Sequence, residues 1–309
     1  MSKPWAADIP ITVTLVQDVL ERQFPQLVPI QLRPLSEGWD NSLFLVNETY
    51  VFRFPRRKIA VDLIEMENRM LPPLSSHLPV PIPNPCFIGQ PTKEYPFPFS
   101  GYPKLTGTVP YMMHLTDEQR TQSAVRWAEF LRTLHGIPTH QALEWGIARS
   151  DDMGRMDVDK RIPIFIAKVE EAHTQGLIDN PYALLHITES VPTTEYVKQQ
   201  CSTVVHGDLN FRNFLVNDEG GLCGVIDWGD AHIGHPAVDL SVVYSFLPPS
   251  ARPLFWKAYG DVCPETRLLA KFRSLYTNIV ILLHAHDIGD RQQLLEAKRA
   301  ITLCTDESE

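Results

Sequence analysis

The sequence predicts an α+β chain in two lobes, an N-terminal antiparallel sheet followed by a larger, mostly helical part. Three observations carry that prediction. Short β-branched and aromatic runs crowd the first third of the chain, and apolar residues at helical spacing fill most of the remainder. Between those helical patterns sits a hairpin framed by Asp208, Asn213 and Asp227. The 309 residues, 44% of them hydrophobic, suffice for one two-lobed domain or two small ones with a sizeable core.

The first element is a helix over residues 12–24, where Val13, Val16, Val19 and Leu20 share one stripe and serve packing. Strands are expected at 30–35, 42–46 and 49–54, with Asn47 and Glu48 turning the chain between the last two, so the segment reads as an antiparallel meander. Strand alternation puts Arg53 on the face opposite Phe52 and Phe54. A helix is expected over 59–71, ending before Pro72 and Pro73. The proline-rich stretches 78–85 and 91–103 read as extended connectors, and 97–107 as the last strand of this part running on into the next.

Helices are then expected over 117–135, with Val125, Ala128, Leu131 and Leu134 at helical spacing and Thr116 as cap, and over 162–175, 251–259, 267–286 and 291–303. His284 and His286, two apart on a helix, point in different directions and read as structural, as do His232 and His235.

The most informative stretch starts at His206 and runs through Gly207, Asp208, Leu209, Asn210, Phe211 and Arg212 to Asn213. Asp227, Trp228 and Gly229 follow fourteen residues after that Asn. In between, short apolar runs at 214–217 and 223–226 flank Asp218, Glu219, Gly220 and Gly221, where glycines supply turn residues at positive φ. Closing that hairpin brings Asn213 and Asp227 together at its open end. Two hard oxygen ligands side by side suit Mg²⁺, which takes one or two protein groups and fills its other sites with phosphate and water. Asp208 then stands near the metal without binding it, placed to accept a proton from an attacking hydroxyl.

These residues follow the catalytic-loop and metal-binding signatures of protein kinases, with Gly207 where Arg is usual. With the trailing run Gly234, His235, Pro236, Ala237, Val238, Asp239, Leu240 they resemble the aminoglycoside phosphotransferase family, which phosphorylates antibiotics and other small molecules on a protein-kinase-like fold. The resemblance covers nearly the whole chain. It implies a bilobal arrangement: a nucleotide-binding lobe at 1–102, a hinge at 103–107, and a catalytic and acceptor-binding lobe at 108–309.

The same resemblance assigns roles. It makes Asp208 the catalytic base, Asn213 and Asp227 the Mg²⁺ ligands, and His206 and Asp239 the braces of the catalytic loop. In the N-terminal lobe, backbone amides around Gly38, in the 36–41 turn, would contact phosphate, although one glycine also fits an ordinary hairpin turn and Trp39 also fits a packing role. Arg53 takes the place of the kinase Lys that contacts phosphates and pairs with a helix Glu, which would be Glu67, with Glu65 as competitor. Arg keeps the charge but changes the geometry, and an exposed Arg53 in a basic cluster with Arg56, Arg57 and Lys58 is the alternative. The Pro103 carbonyl and the Leu105 amide would recognise the purine of ATP or GTP, between which the segment does not discriminate.

Charge and composition exclude several classes. A net charge of −9 disfavours nucleic-acid binding, which depends on basic patches. No apolar run reaches membrane-spanning length, and residues 1–8 lack the apolar stretch of a secretory signal, so a cytoplasmic protein is expected. Cys86, Cys201, Cys223, Cys263 and Cys304 show neither metal-type clustering nor an even count, and read as reduced thiols. Oligomeric state is not legible.

The expected activity is transfer of the γ-phosphoryl group of ATP or GTP to a hydroxyl of a small molecule, of the aminoglycoside type or another antibiotic, with resistance as the implied role. A macrolide phosphotransferase, a metabolite kinase and a nucleotide-binding pseudoenzyme are the alternatives. Residues 241–250 are uncharged, where aminoglycoside-modifying relatives often carry acids, which weakens that choice. The 53–57 and 246–249 segments look more like macrolide-phosphorylating relatives, yet those often have His where Asn213 stands. Asp151, Asp152, Asp157 and Asp159 are acidic candidates whose ordinary role is a solvated loop. A metal phosphoesterase built on His206, Asp208, Asp227 and His232 leaves Arg53 and Glu67 unexplained, and a protein kinase is disfavoured because no activation segment ending Ala-Pro-Glu follows Asp227.

Overall fold

The computed structural model describes residues 8–38, 40–148 and 150–306. The readings placed on residues 1–7 and on Trp39 lie outside the described residues. The chain divides into two compact units, one running to His77 and resuming over Pro81–Leu105, the other made of Leu78–Val80 and Thr106–Glu309.

The first unit opens with helix α1 (Val13–Gln23), whose first turn is capped by the Thr12 hydroxyl accepting from the Leu15 amide at 3.2 Å. Strands β1 (Leu32–Glu37), β2 (Asn41–Val46) and β3 (Tyr50–Pro55) form the expected meander. Asn47 and Glu48 both sit at positive φ, 52° and 54°, at the centre of a tight turn closed by the Thr49 amide donating to the Val46 carbonyl. Helix α2 (Ile59–His77) follows, then β4 (Phe87–Gly89) and β5 (Phe99–Pro103), giving an antiparallel sheet in the order β1-β2-β3-β5-β4. Val16, Val19 and Leu20 of α1 pack with Phe44, Phe52, Phe54, Tyr95 and Phe99, and the Phe54 and Phe99 rings stack at 4.5 Å. Each such buried side chain contributes about 1.5–3 kcal/mol before entropy is counted.

Three elements of this unit differ from the sequence reading. The first strand lies at Leu32–Glu37 rather than 30–35, because pairing from Leu32 with Val46 to Glu37 with Ser42 carries polar residues into the ladder past a bulge between Pro34 and Ser36. This is an edge strand, where proline is tolerated. Helix α2 runs six residues beyond 71, through Pro72 and Pro73. Its buried stripe of Ala60, Ile64, Glu67, Leu71 and Leu74 stays in phase across the prolines, so burial of Leu74 outweighs the lost amide donors. The Ser75 and Ser76 hydroxyls donate to the Pro72 carbonyl in the last turn. Strand β4 is too short to show any alternation and was not legible.

In the second unit the capping box of α3 (Asp117–Thr121) forms as its sequence dictates, with the Thr116 hydroxyl on the Gln119 amide and the Gln119 side chain returning to the Thr116 amide. The helix expected over 117–135 breaks there. Tightened bonds from Gln122 to Gln119 and from Ser123 to Arg120 end α3, and the buried Ser123 hydroxyl is spent on the Gly220 carbonyl before α4 (Ala124–His135) begins. Val125 is exposed, and Ala124, Trp127, Ala128, Leu131 and Leu134 form the buried stripe.

Next come α5 (Thr139–Glu144), α6 (Val158–Thr174), α7 (Tyr182–Leu185) and α8 (Thr194–Gln199). Four short strands follow: β6 (Thr203–Val205), β7 (Phe214–Val216), β8 (Leu222–Val225) and β9 (His232–Gly234). They pair antiparallel as β6 with β9 and β7 with β8. The unit closes with α9 (Ala237–Phe246), α10 (Arg252–Tyr259), α11 (Pro264–Asp287) and α12 (Arg291–Thr305), with α9 packed against α11 and α12. Every residue of α9 is buried, so the uncharged stretch from Ser241 serves the core. Among the described residues no helix is long and apolar enough to cross a membrane.

Candidate active site

The site in the second unit is built on two turns that the sequence specifies closely. At the hairpin tip the Asn217 side chain accepts from the Glu219 and Gly221 amides, and Gly220 adopts φ 85°. The hairpin closes with Phe214 opposite Val225, and the Ile226 amide donates to the Asn213 carbonyl. Asn213 and Asp227 therefore flank its open end. Asp227 itself sits at φ 64°, a conformation uncommon for a non-glycine residue.

Strand β6 delivers His206 and Gly207 to the fully buried Asp239 at the start of α9. The Asp239 carboxylate accepts from the His206 amide at 2.7 Å and the Gly207 amide at 2.9 Å, with His135 Nε2 at 3.3 Å. Burial pushes the Asp239 carboxyl up, but the bond from His135 and the fields of His135 and His206 outweigh it and hold it below the usual carboxylate range. The His206 ring donates from Nε2 to the Ile226 carbonyl and accepts the Asp208 amide at Nδ1, an assignment that follows from those two partners. Trp228 lies edge-on to that ring at 4.7 Å. Gly207 is required here: its φ is 87°, and a Cβ would stand 2.4 Å from the Asp230 carbonyl oxygen. No Arg fits at this position, which accounts for the departure from the kinase signature.

Asp208 is held at both oxygens. Oδ1 accepts from Arg155 Nη1 at 3.0 Å, with Arg273 Nη2 at 3.6 Å. Oδ2 accepts from the Asn213 and Asn210 side-chain amides at 3.2 and 3.3 Å. Arg155 also bonds Asp230. Burial works against the Arg155 charge, and Asp208 and Asp230 overcome it, holding its pKa above the ordinary arginine value.

Asn213 spends its amide nitrogen on Asp208, at the backbone carbonyl as well as Oδ2. Among the described residues its Oδ1 accepts no hydrogen bond, and the exposed Asp227 carboxylate has no polar partner. Two unspent oxygen donors at one hairpin mouth fit the coordination chemistry of Mg²⁺.

In the first unit, Arg53 Nη1 reaches both Glu67 oxygens, at 2.8 and 2.7 Å, and both side chains are largely buried. With its amide turned as the surrounding donors require, Asn41 accepts from Arg53 as well. Glu65 faces outward. The alternative of an exposed Arg53 in a basic cluster does not hold, because Arg53 is largely buried against Glu67, Arg56 donates to the Gly38 carbonyl and Arg57 pairs with Asp40 at 2.9 Å. The Gly38 amide is tied to the Asn41 carbonyl, and a Cβ at Gly38 would meet only ordinary contact. Pro103 pairs with Tyr50 at the end of β5. The Leu105 amide, just beyond, makes no hydrogen bond among the described residues.

The other candidates take structural roles. Asp151 accepts from the Met156 amide, and Asp157 caps α6. His232 Nδ1 bonds the Asp230 carbonyl, and burial, with His135 nearby, lowers the His235 pKa to about 4. Among the described residues no group of three or more His, Cys, Asp or Glu could hold a metal, so the phosphoesterase cluster does not form. Sequence reasoning missed Arg155 and Arg273. Arg155 lies in a loop without a motif, whereas Arg273 left a signal, a charge on the apolar helical stripe of Leu269, Phe272 and Tyr276.

Comparison with known proteins accords with this geometry. The chain is 24% identical to APH(2")-IIia, solved as its GDP and kanamycin complex, with TM-score 0.64 over 95% of this chain and 99% of that one. It is 21% identical to macrolide 2'-phosphotransferase MphH from Brachybacterium faecium, with TM-score 0.59 over 94% and 98%. At these identities the likeness shows the fold, and it bears out the kinase-like α+β arrangement. Among curated proteins, the chain is 34% identical over 117 residues to a Metamycoplasma hominis protein and 23% identical over 210 residues to YcbJ of Bacillus subtilis, covering 35% and 64% of this chain. It spans 23% and 63% of the lengths of those relatives. The family model for phosphotransferase enzymes matches residues 31–272, well over half the chain. With that match, and the catalytic-loop residues in the order and contacts described, the chain belongs to the phosphotransferase enzyme family.

Proposed function

We propose that the chain is a small-molecule O-kinase, moving the γ-phosphoryl group of ATP or GTP to an acceptor hydroxyl. The observation that carries this reading is the division of labour at Asn213, whose amide nitrogen orients Asp208 while its oxygen is left over beside Asp227. Asp208 is the base: it takes the hydroxyl proton as the oxygen–phosphorus bond forms and the bond to the nucleoside diphosphate breaks. Asn213 and Asp227 would hold Mg²⁺, which supplies charge neutralisation at the phosphates. His206 and Asp239 fix the loop through the bonds described.

In the first unit Arg53, oriented by Glu67, and the backbone around Gly38 serve the phosphates, while the Pro103 carbonyl and Leu105 amide serve the purine. In this reading residues 1–102, 103–107 and 108–309 are the nucleotide lobe, the hinge and the acceptor lobe. The protein acts in the cytoplasm, without nucleic-acid or membrane partners. Kanamycin and macrolide appear with the neighbours, which supports an antibiotic-sized hydroxyl compound as one acceptor class. The carboxylates of Asp151 and Asp157 are already spent on backbone amides, and α9 offers none beyond Asp239, which disfavours a polycationic sugar.

The test is coupled nucleotide consumption with ATP and GTP against aminoglycosides, macrolides and metabolite alcohols, with Asp208→Ala as control. Acceptor-dependent turnover that the substitution abolishes is the expected result. Full activity in Asp208→Ala sinks the mechanism, and nucleotide binding without transfer to any acceptor returns the reading to a pseudoenzyme.

A further inference from the structure

The reaction as described leaves one buried cation without a task. Arg273, on the apolar stripe of α11, has a side chain only 6% exposed. Among the described residues its guanidinium makes no hydrogen bond. Its partners are Asp208 Oδ1 at 3.6 Å and the face of Tyr276, 5.6 Å from ring centroid to Cζ. Arg161 also lies over that ring, at 5.4 Å, with its own donors spent on the Gly154 carbonyl and the Tyr276 hydroxyl. Burial, followed by repulsion from Arg155, lowers the Arg273 pKa to about 10 against the pull of Asp208, so the group stays charged at neutral pH.

A permanently charged fork of N–H donors in a buried place calls for an oxyanion that accepts from it. Asp208 cannot be that anion during turnover, because its oxygen must meet the acceptor hydroxyl. We infer that the countercharge comes with the substrate: the acceptor carries a carboxylate or phosphate group close to its reacting hydroxyl, and Arg273, with Arg155 beside it, binds that group. The inference rests on Asp208 being the base of a phosphotransferase. It has a mechanical consequence. An oxyanion in the fork draws the guanidinium groups off Asp208 Oδ1, so that binding the acceptor frees the oxygen that accepts its proton. A polycationic acceptor brings like charge to the same place.

A charge series on one sugar frame tests it. Binding of glucosamine, glucose, gluconate and a glucose monophosphate to the full chain is measured in the presence of Mg²⁺ and ADP, in the wild type, Arg273→Met and Arg273→Lys. The wild type should bind one or both anions about tenfold or more tighter than glucosamine, the value expected for a charge-assisted pair, and the better anion identifies carboxylate or phosphate. That advantage should vanish in Arg273→Met and shrink in Arg273→Lys, which keeps the charge but loses the fork. ADP binding in each variant reports that it is folded, and Arg273→Lys decides the matter if Arg273→Met does not fold. Equal or reversed order in the wild type, no binding of either anion at millimolar concentration, or an anion advantage that survives both substitutions overturns the inference. Failure of the wild type to bind ADP is a different result, and it removes the phosphotransferase reading on which the inference stands.

Discussion

Arg53 in the first unit and Arg273 in the second are both arginines set among apolar side chains against a carboxylate, and they are satisfied to opposite degrees. Arg53 meets both oxygens of Glu67 within 2.8 Å, whereas Arg273 comes no closer than 3.6 Å to Asp208 and makes no hydrogen bond among the described residues. The same contrast separates their neighbourhoods. Around Arg53 the polar groups answer one another, and removing one should cost the fold. Around Asp208 there are unspent donors and acceptors: the Arg273 fork, Asn213 Oδ1 and the Asp227 carboxylate. Buried or constrained polar groups left open are costly to maintain and collect where ligands complete them. On the proposed function, a bound substrate and metal would complete the open groups around Asp208, while the bonds already made around Arg53 hold its side chain in place.

The largest test of that contrast is Asp208→Asn. It removes the proposed proton acceptor while retaining the shape of the side chain, and transfer should fall about 10²–10⁴-fold with nucleotide affinity largely kept. A variant that transfers normally would mean that this loop is not the reacting site. Glu67→Ala should act on the other side of the comparison. It strands a largely buried Arg53, a change that typically costs about 3–5 kcal/mol, read as a lower urea midpoint, together with weaker nucleotide binding. Unchanged midpoint, affinity and turnover would reject the pairing as functional.

An intermediate effect is expected at His235, whose Nδ1 accepts from the Ala237 amide while burial keeps the ring neutral, with a pKa near 4 against an ordinary 6.5. His135 adds repulsion to that of burial. Below pH 6.5 the unfolded chain binds a proton that the folded one refuses, so stability should fall as pH drops from 6.5 towards 4 and stop changing below it on this account. The slope is at most about 1.4 kcal/mol per pH unit. His235→Asn keeps an acceptor for Ala237 and should flatten the curve between those limits; a curve as steep as the wild type's would show that another group is responsible.

Which features were legible follows from the same distinction. The hairpin that brings Asn213 and Asp227 together, with Asp208 beside it, could be read because local chemistry fixes it, whereas the choice of Glu67 over Glu65 came from the family resemblance. Turn residues, strand alternation and helical spacing are properties of a few neighbouring residues. The run of α2 through Pro72 and Pro73, the break at Ser123 and the strand at Phe87 were not, because each is decided by tertiary packing or a distant partner: the burial of Leu74, the carbonyl of Gly220, the edge of β5. Arg155 and Arg273 belong to the second kind. They reach Asp208 from 53 and 65 positions away in sequence, and only the polar break in the α11 stripe hinted at one of them.

The smallest expected change in stability is at Asp227, and it sharpens the comparison most. The residue is exposed, has no polar partner among the described residues and holds φ at 64°, where most side chains are strained. Asn tolerates that region as Asp does, and glycine is at ease there, so Asp227→Asn and Asp227→Gly should each leave unfolding free energy within about 0.5 kcal/mol of the wild type, with glycine the more favourable. Alanine should be the worst of the three, since it neither relieves the backbone nor replaces the side chain. All three should raise the Mg²⁺ concentration needed for half-maximal transfer by about tenfold or more, the loss expected when a charged ligand is removed. If instead the asparagine variant were markedly destabilised with its Mg²⁺ requirement unchanged, Asp227 would belong with Glu67 among the residues that hold the fold, and the strained backbone at its position would need another reason.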